Sequence, residues 1–428
     1  MTSHRPILDR VGSGSLSGND EGVPLTVRIE ADLLIPGRGD PVNDGVVVIE
    51  GDTIAYAGAR AAAPETPETH VTAVPVVLPG LWEAHAHFDG MARPDIEDQM
   101  TETTPLRVAR ATGDLKRTLM GGVTSAREVG GFGIDIQPAI AAGQVVGPTI
   151  YGAGGVLSTT GGHADIHSMP LPALEHIHHL GLLCDGVPEV MKAVRLNLRK
   201  NAKLIKICAS GGVMSEVDHP IHQQFSDEEL RAIVEEAARA ERIVAAHCHG
   251  KPGIMAALRA GAKTIEHGSF MDEEAARLMI ERDAIFVPTR FVVDKLLGME
   301  EVLPRYAYEK ALFVAESQLQ GMKIAAAAGV KFAMGTDIFV SGDLYGQNGA
   351  EIRFLQDAGL TALEALEAAT ANGPDTLGPQ APMSGQLKEG YDADVIAIDF
   401  NPLEDNLGWG DPERVTHVWK AGVPVKEQ

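Results

Sequence analysis

The sequence predicts an α/β fold: a (β/α)8 TIM barrel with a small β-sandwich domain built from both chain ends. Three observations carry this reading. From residue 77 to about 378, short apolar runs alternate with Ala/Glu/Arg-rich stretches, the pattern of βα repeats. Eight such units in about 300 residues fit one barrel. Strand-like pieces separated by turn-formers flank this region on both sides.

Residues 1–23 are polar and rich in Gly and Ser, and read as a flexible tail. Residues 24–76 hold short strands such as Leu25-Thr26-Val27-Arg28-Ile29 and Gly45-Val46-Val47-Val48-Ile49-Glu50. Turns at Pro36-Gly37-Arg38-Gly39-Asp40 and Glu50-Gly51-Asp52 separate them. The barrel is expected over 77–380, with strands at 77–83, Val123–Val129, Thr149–Ala153, Leu204–Ala209, Ile243–Ala246, Thr264–Glu266, Ala284–Pro288 and Lys331–Gly335. A helix from Ser226 to Glu241 has a good N-cap in Ser226, followed by acidic residues. After Pro382 short strands return at 393–398 and 415–419. Residues 381–428 are therefore expected to join 24–76 in the β-sandwich.

Composition excludes several partners. The formal net charge of −23 argues against nucleic acid and against anionic membrane surfaces. No run of about 18 apolar residues is present, so no membrane span is expected. The N-terminus has no apolar core of a signal peptide. Cys184, Cys208 and Cys248 are odd in number and far apart, which suits a reducing compartment, so a cytoplasmic location is expected.

The chemistry begins at Val77-Leu78-Pro79-Gly80-Leu81-Trp82-Glu83-Ala84-His85-Ala86-His87. Residues i and i+2 on a strand face the same side, so His85 and His87 project together as half of a metal site. In a barrel, catalytic groups sit at the C-terminal ends of the strands. Strand 4 carries Lys206, strand 5 runs into His247-Cys248-His249, strand 6 ends Glu266-His267, and strand 8 ends Gly335-Thr336-Asp337. Five of the eight strands thus present a ligand-type or charged residue at one end. A buried lysine ammonium is costly, so Lys206 must be neutralised, paired or chemically modified.

This order of residues resembles the amidohydrolase superfamily. The contexts Leu-Pro-Gly-Leu-Trp-Glu-Ala-His-Ala-His, Ile-Lys-Ile-Cys-Ala-Ser-Gly-Gly and Ile-Glu-His-Gly are similar to its prolidase-type carboxypeptidase branch, which includes amidohydrolases that split ochratoxin A. The resemblance covers nearly the whole chain. It implies a binuclear site in which His85, His87 and Asp337 hold one divalent metal and His247 and His267 the second. Lys206, carboxylated, would bridge the two. Nitrogen and oxygen ligands suit Zn2+, with Mn2+ or Co2+ as substitutes. The implied reaction is hydrolysis of an amide in an N-acyl amino acid or dipeptide, by a hydroxide lying between the metals. Asp337 would take the proton and pass it to the leaving amine. Release of phenylalanine and ochratoxin alpha from ochratoxin A is one such reaction. Cyclic amides, lactones and organophosphates form the alternative substrate class. Relatives form homo-oligomers, so one is expected here.

Three further residues are candidates for substrate contact. His163, in Thr160-Gly161-Gly162-His163-Ala164-Asp165, could hydrogen-bond the scissile carbonyl or the oxyanion. His249 could face the site, and is also the alternative metal ligand on strand 5. Arg290, just after strand 7, could bind a substrate carboxylate bidentately. Arg127-Glu128 reads as a structural ion pair. His176, His178 and His179 read as solvated, and His219 and His222 as rim residues. Cys248 is expected to point away from the site. Gly152-Ala153-Gly154-Gly155 lacks the spacing of a dinucleotide-binding loop.

Overall fold

The computed structural model describes residues 26–66, 71–97, 101–174 and 181–428. The expected tail 1–23 and His176, His178 and His179 lie outside the described residues.

The strands at the N-terminal end are β1 (Thr26–Leu34), β2 (Val42–Glu50), β3 (Thr53–Ala59) and β4 (Val71–Pro79). They share one sheet with strands from the C-terminal end, so both chain ends do come together. What they form is a seven-stranded sheet, β17-β16-β15-β4-β1-β2-β3. Here β15 is Val395–Ile398, β16 is Val415–Lys420 and β17 is Val423–Lys426. The Glu50-Gly51-Asp52 turn joins β2 to β3, with Glu50 opposite Thr53. Gly51 takes φ +63 there, as a tight hairpin turn requires. Alternate residues Ile29, Ala31, Val47, Ile49 and Val77 pack with Val395 and Trp419 in the core beneath this sheet.

The apolar run expected as one strand over 77–83 is two. β4 carries the terminal sheet to Pro79, past the expected boundary at 76, and β5 (Leu81–Ala86) starts a second sheet. Gly80 makes the switch. Its N–H donates to Asp394 O at 2.9 Å, and the next N–H, of Leu81, donates to Gly122 O at 2.9 Å. A Cβ on Gly80 would lie 2.1 Å from Thr124 Oγ1, so only glycine fits.

β5 pairs in parallel with β6 (Val123–Glu128), and β6 with β7 (Thr149–Gly152). The expected third barrel strand is interrupted. After Gly154, at φ +76, it resumes as β8 (Val156–Ser158) and pairs with β10 (Ile205–Cys208). Asn197 secures the break by donating to Gly155 O at 2.7 Å and accepting from Gly155 N at 3.1 Å. A short strand absent from the sequence reading, β9 (Gly181–Leu183), lies beside β8. Parallel pairing continues through β11 (Val244–Cys248), β12 (Thr264–His267), β13 (Ile285–Val287) and β14 (Lys331–Phe332). Beyond β14 the chain still meets β5: Ala84 N donates to Met334 O at 2.8 Å and Asp337 N to His85 O at 2.9 Å.

Helices alternate with these strands. The helix Asp227–Ala238 begins in a full capping box, Ser226 Oγ accepting from Glu229 N while Glu229 Oε2 accepts from Ser226 N. It ends at Ala238, short of the expected Glu241, and buries Leu230, Ile233 and Ala237 at helical spacing.

Candidate metal centre

His85 is the fifth residue of β5 and His87 follows the strand, so the two rings leave it on one side. The His85 ring is 1 % exposed. Its Nδ1–H donates to Glu266 Oε2 at 2.7 Å, and that of His87 donates to Gly130 O at 2.8 Å. Both acceptors lack protons to give, so in the neutral rings each Nε2 carries a bare lone pair. Those lone pairs face a carboxylate: Asp337 Oδ1 is 3.1 Å from His87 Nε2 and 3.6 Å from His85 Nε2. With both rings neutral, the three acceptors form a group that could hold a metal ion. Two ligands on tetrahedral zinc stand about 3.3 Å apart, a spacing these distances bracket.

A second group forms from β11, β12 and the residue after β11. His247, His249 and His267 each offer a ring nitrogen, and these lie within 4.8 Å of one another. Every ring has one nitrogen occupied. His247 Nε2–H donates to Gly211 O at 3.1 Å; His249 Nδ1 hydrogen-bonds Ser269 Oγ at 2.7 Å and His267 Nδ1 hydrogen-bonds Thr289 Oγ1 at 2.7 Å. Such outer bonds orient metal-binding imidazoles. The sequence reading took His247 and His267 as ligands and His249 as a substrate contact or the alternative ligand on strand 5. The geometry brings all three together. The two groups adjoin, with the His85 and His267 rings 4.9 Å apart.

Lys206, from the middle of β10, is 3 % exposed. Its Nζ lies 3.3 Å from His85 Nε2. Burial pushes the amine below its ordinary value, toward the neutral form that can react with carbon dioxide. Burial also pushes the His85 ring down to about 4, with Lys206 adding to the effect and Asp337 opposing it. For Asp337 burial acts upward, but the neighbouring His85, His87 and Lys206 hold it below the usual carboxylate range.

The backbone is strained at this end of the strands. His267 (φ +67), Thr289 (φ +54) and Asp337 (φ +58) are all left-handed. Such conformations cost about 1–3 kcal/mol each and gather where a site over-determines its geometry.

Beneath the rings lies a buried network that the sequence reading missed. Arg127 Nη2 donates to both oxygens of Glu266, at 2.7 and 2.8 Å, and Glu266 holds His85. Burial alone would raise Glu266, but Arg127 and His85 keep it well below its ordinary value. Arg127 thus pairs with Glu266 and not with its neighbour Glu128. Glu128 instead accepts from the N–H groups of Gly133 and Ile134 at 2.7 and 3.0 Å. Glu83 accepts from His85 N, Thr336 N and Asn348 Nδ2, tying β5 to the Asp337 loop. Alternation along the strands was the available signal: Glu266 and Glu83 sit next to, or two residues from, a ligand-type histidine on apolar strands.

The candidates surround one cavity of about 170 Å³. His85, His87, Lys206, His247, His249, His267 and Asp337 line it, as do His163, Asp89 and Cys208. Met91, Ile96, Val213, Met214, Val292, Val293, Leu296 and Phe339 make an apolar wall. Cys248, His219 and His222 do not line it. Arg290 does not reach it either. Thr289 turns the chain into the helix Arg290–Leu297, and Arg290 Nη1 donates to Ala315 O at 2.5 Å on the helix Arg305–Ala328. The expected carboxylate clamp is therefore corrected: this guanidinium is part of the helix packing.

Parallel strand ends bring two groups of ligand-type residues and a buried lysine to one cavity, and each group could hold a metal ion. Residues 76–425 match the amidohydrolase family, and the chain belongs to that family as a hydrolase acting on amide bonds. The chain is 45% identical over 423 residues to the ochratoxinase of Aspergillus niger, covering 93% of this chain and 86% of the relative. The crystal structure of A. niger ochratoxinase superposes with a TM-score of 0.88 at 42% identity, over 95% of this chain and 97% of that one. A prolidase complexed with N-methylphosphonate-L-proline gives 0.86 at 33% identity, over 94% of this chain and 100% of that one. A Xaa-Pro dipeptidase with bound methionine in its active site gives 0.85 at 30%, again over 94% and 100%.

Proposed function

We propose that the protein is a binuclear metal-dependent amidohydrolase. It would cleave the amide bond of N-acyl amino acids or dipeptides, carboxypeptidase-like or prolidase-like, with ochratoxin A as one candidate substrate. One observation carries the reading: five histidines and Asp337 converge with their outer nitrogens already bonded, around a buried lysine. His85, His87 and Asp337 would hold one ion, and His247 and His267 the other, with His249 as ligand or substrate contact. A carboxylated Lys206 would serve both, turning a costly buried amine into an anionic ligand. Two divalent ions, Zn2+ first, would polarise the scissile carbonyl and supply hydroxide near neutral pH.

The remaining work falls to the chain's own residues. Asp337, within 3.1 Å of His87 Nε2 and 3.9 Å of His267 Nδ1, is placed to hold a proton and deliver it to the leaving amine. The apolar wall would exclude water and bind a large apolar group of the substrate. His163 completes the polar side. A closed eight-stranded barrel, with residues 24–76 and 381–428 as a β-sandwich beside 77–380, belongs to this proposal. The hydrogen bonds from Ala84 N to Met334 O and from Asp337 N to His85 O, which join β5 to the segment after the last strand, support closure. Cytoplasmic location rests on three free, buried cysteines; no helix among the described residues is long and apolar enough to cross a membrane. A homo-oligomer rests on the family resemblance.

One observation favours the alternative class of lactones, cyclic amides and organophosphates. Among the described residues, no arginine or lysine other than Lys206 lines the cavity, so a cation for a substrate carboxylate is not on the wall. The test is release of amino acid by zinc-reconstituted protein from N-acyl amino acids, dipeptides ending in Pro, Phe, Leu or Arg, and ochratoxin A, with lactones in parallel. Preference within the amide series supports the proposal. Turnover of lactones alone, with two metals bound, overturns it.

A further inference from the structure

The chain between β10 and the helix Asp227–Ala238 makes one wall of the cavity. Its base is zipped by the backbone. Ser210 bridges Gln223, Gly211 N donates to His222 O at 3.1 Å, and Gln224 N donates to Ala209 O at 3.0 Å. Beyond this base lies a tip, residues 212–218, with no helix or strand of its own. The tip carries Val213 and Met214, which line the cavity. Its carbonyls have no ladder to bond to, so they need partners from elsewhere.

Lys310 supplies them from the helix Arg305–Ala328, far along the chain. Its Nζ donates to Gly212 O at 3.2 Å, Ser215 O at 2.6 Å, Asp218 O at 2.5 Å and Asp218 Oδ1 at 3.2 Å. An ammonium has three protons and no acceptor, so four oxygens gathered about it form the kind of cage that surrounds a monovalent cation. The side chain is only 13 % exposed. Asp218 closes the tip from within, its Oδ2 accepting from Gly212 N at 3.1 Å and Gln224 Nε2 at 2.9 Å. The same helix backs the tip with apolar surface. Val213 packs in one cluster with Val292, Val293 and Leu296 of the cavity wall and with Ala311 and Val314, just past Lys310. Without the ammonium, three carbonyl oxygens and a carboxylate would face one another out of water, and the tip would have to open to satisfy them.

We propose that Lys310 is a positioning residue for substrate selection: its ammonium is a tethered cation around which residues 212–218 fold, and so it holds Val213 and Met214 against the bulky apolar part of the substrate. The substrate part rests on the amide-hydrolase reading above; the organisation of the loop does not.

Two variants and two measurements test it. Lys310→Met keeps most of the stem and removes the charge, whereas Lys310→Ala leaves room for an added alkylammonium. In Lys310→Met with two metals bound, kcat/KM for an amino acid bearing a large aryl acyl group should fall roughly tenfold relative to its acetyl analogue, the low end of what a misfitted apolar pocket costs. In Lys310→Ala, propylammonium chloride replaces the missing carbons and charge and should restore that ratio. Tetramethylammonium chloride at equal ionic strength, and propanol, should not. An equal loss for both substrates, or equal restoration by propanol, overturns the proposal. Hydrogen exchange reads the loop without turnover, through Gly212 N and Val217 N, which are bonded to Asp218 Oδ2 and His167 Nδ1. Residues 212–218 should lose protection in Lys310→Met while β11 keeps its own, and propylammonium should return it in Lys310→Ala. Unchanged protection of the tip, or loss spread over β11 as well, overturns the proposal. If the wild type cleaves no amide, the functional reading fails while the exchange still decides the loop.

Discussion

Glu266→Gln separates the two jobs of the buried network. Glu266 is wholly buried, accepts twice from Arg127 Nη2, and accepts from His85 Nδ1 at 2.7 Å. Glutamine keeps the volume but removes the charge, leaving the Arg127 guanidinium buried without its counter-ion. Removing one partner of such a pair costs about 3–5 kcal/mol. Unfolding entropy for 428 residues is about 0.9 kcal/mol/K, so the Tm of metal-free protein should fall by roughly 3–6 °C. The His85 ring also loses the carboxylate that fixes its tautomer, which lowers metal affinity by about 10- to 100-fold, or about 1.4–2.7 kcal/mol. Calorimetry of the metal-free protein reads the first effect, and zinc competition with a chromogenic chelator reads the second. Arg127→Met together with Glu266→Gln should recover most of the Tm but not the zinc affinity. Unchanged Tm and unchanged affinity in the single variant would refute the reasoning.

Lys206→Ala should lose bound metal and activity together; an active variant with two zinc ions would sink the bridging role. Arg290→Ala should leave KM for acyl amino acids unchanged while lowering stability by about 1–2 kcal/mol through its lost bond to the Ala315 carbonyl, and a raised KM would return Arg290 to the site. Burial raises Glu128 to about 7 from an ordinary 4.5. Its folded form therefore holds the proton more tightly than the unfolded chain, and the stability this contributes is full below pH about 4.5 and is lost as pH rises through 7. Metal-free Glu128→Gln should accordingly show a shallower fall in urea midpoint from pH 5 to 8 than the wild type; parallel curves would exclude Glu128 as the source.

The groups that line the cavity were legible because strands alternate and barrel strands share one functional end. His85 and His87 at i and i+2, and His247 with His249, could be placed on one side from spacing alone. What lay behind them was not. Glu266 lies beneath the rings, bonded to His85, but its partner Arg127 is distant in sequence, so spacing alone does not pair them. The Gly80 switch was invisible because the apolar run continues through it: both the terminal sheet and β5 bury their side chains. Arg290 was misread for a backbone reason. Thr289 turns left-handed, which a sequence does not display, and starts a helix that carries the guanidinium outward. Lys310 and its acceptors at Ser215 and Asp218 were hidden for want of periodicity, since the loop after β10 and the distant helix meet only in three dimensions.

The pairing of β15 with β4 sets an order of events during synthesis. Val395 to Ile398 hydrogen-bond opposite Pro79 to Val76, so the partner of β4 is made about 320 residues after it. At roughly 5–20 residues per second, one edge of β4 waits roughly 15–60 s on the ribosome. Its neighbour β5 begins the strand that presents His85 and His87. Until the last strands emerge, that apolar edge is an open template for pairing with another nascent chain. High-level expression should therefore be limited less by the finished enzyme than by this interval, and slowing initiation or supplying chaperones that cover strand edges should raise the yield of active protein.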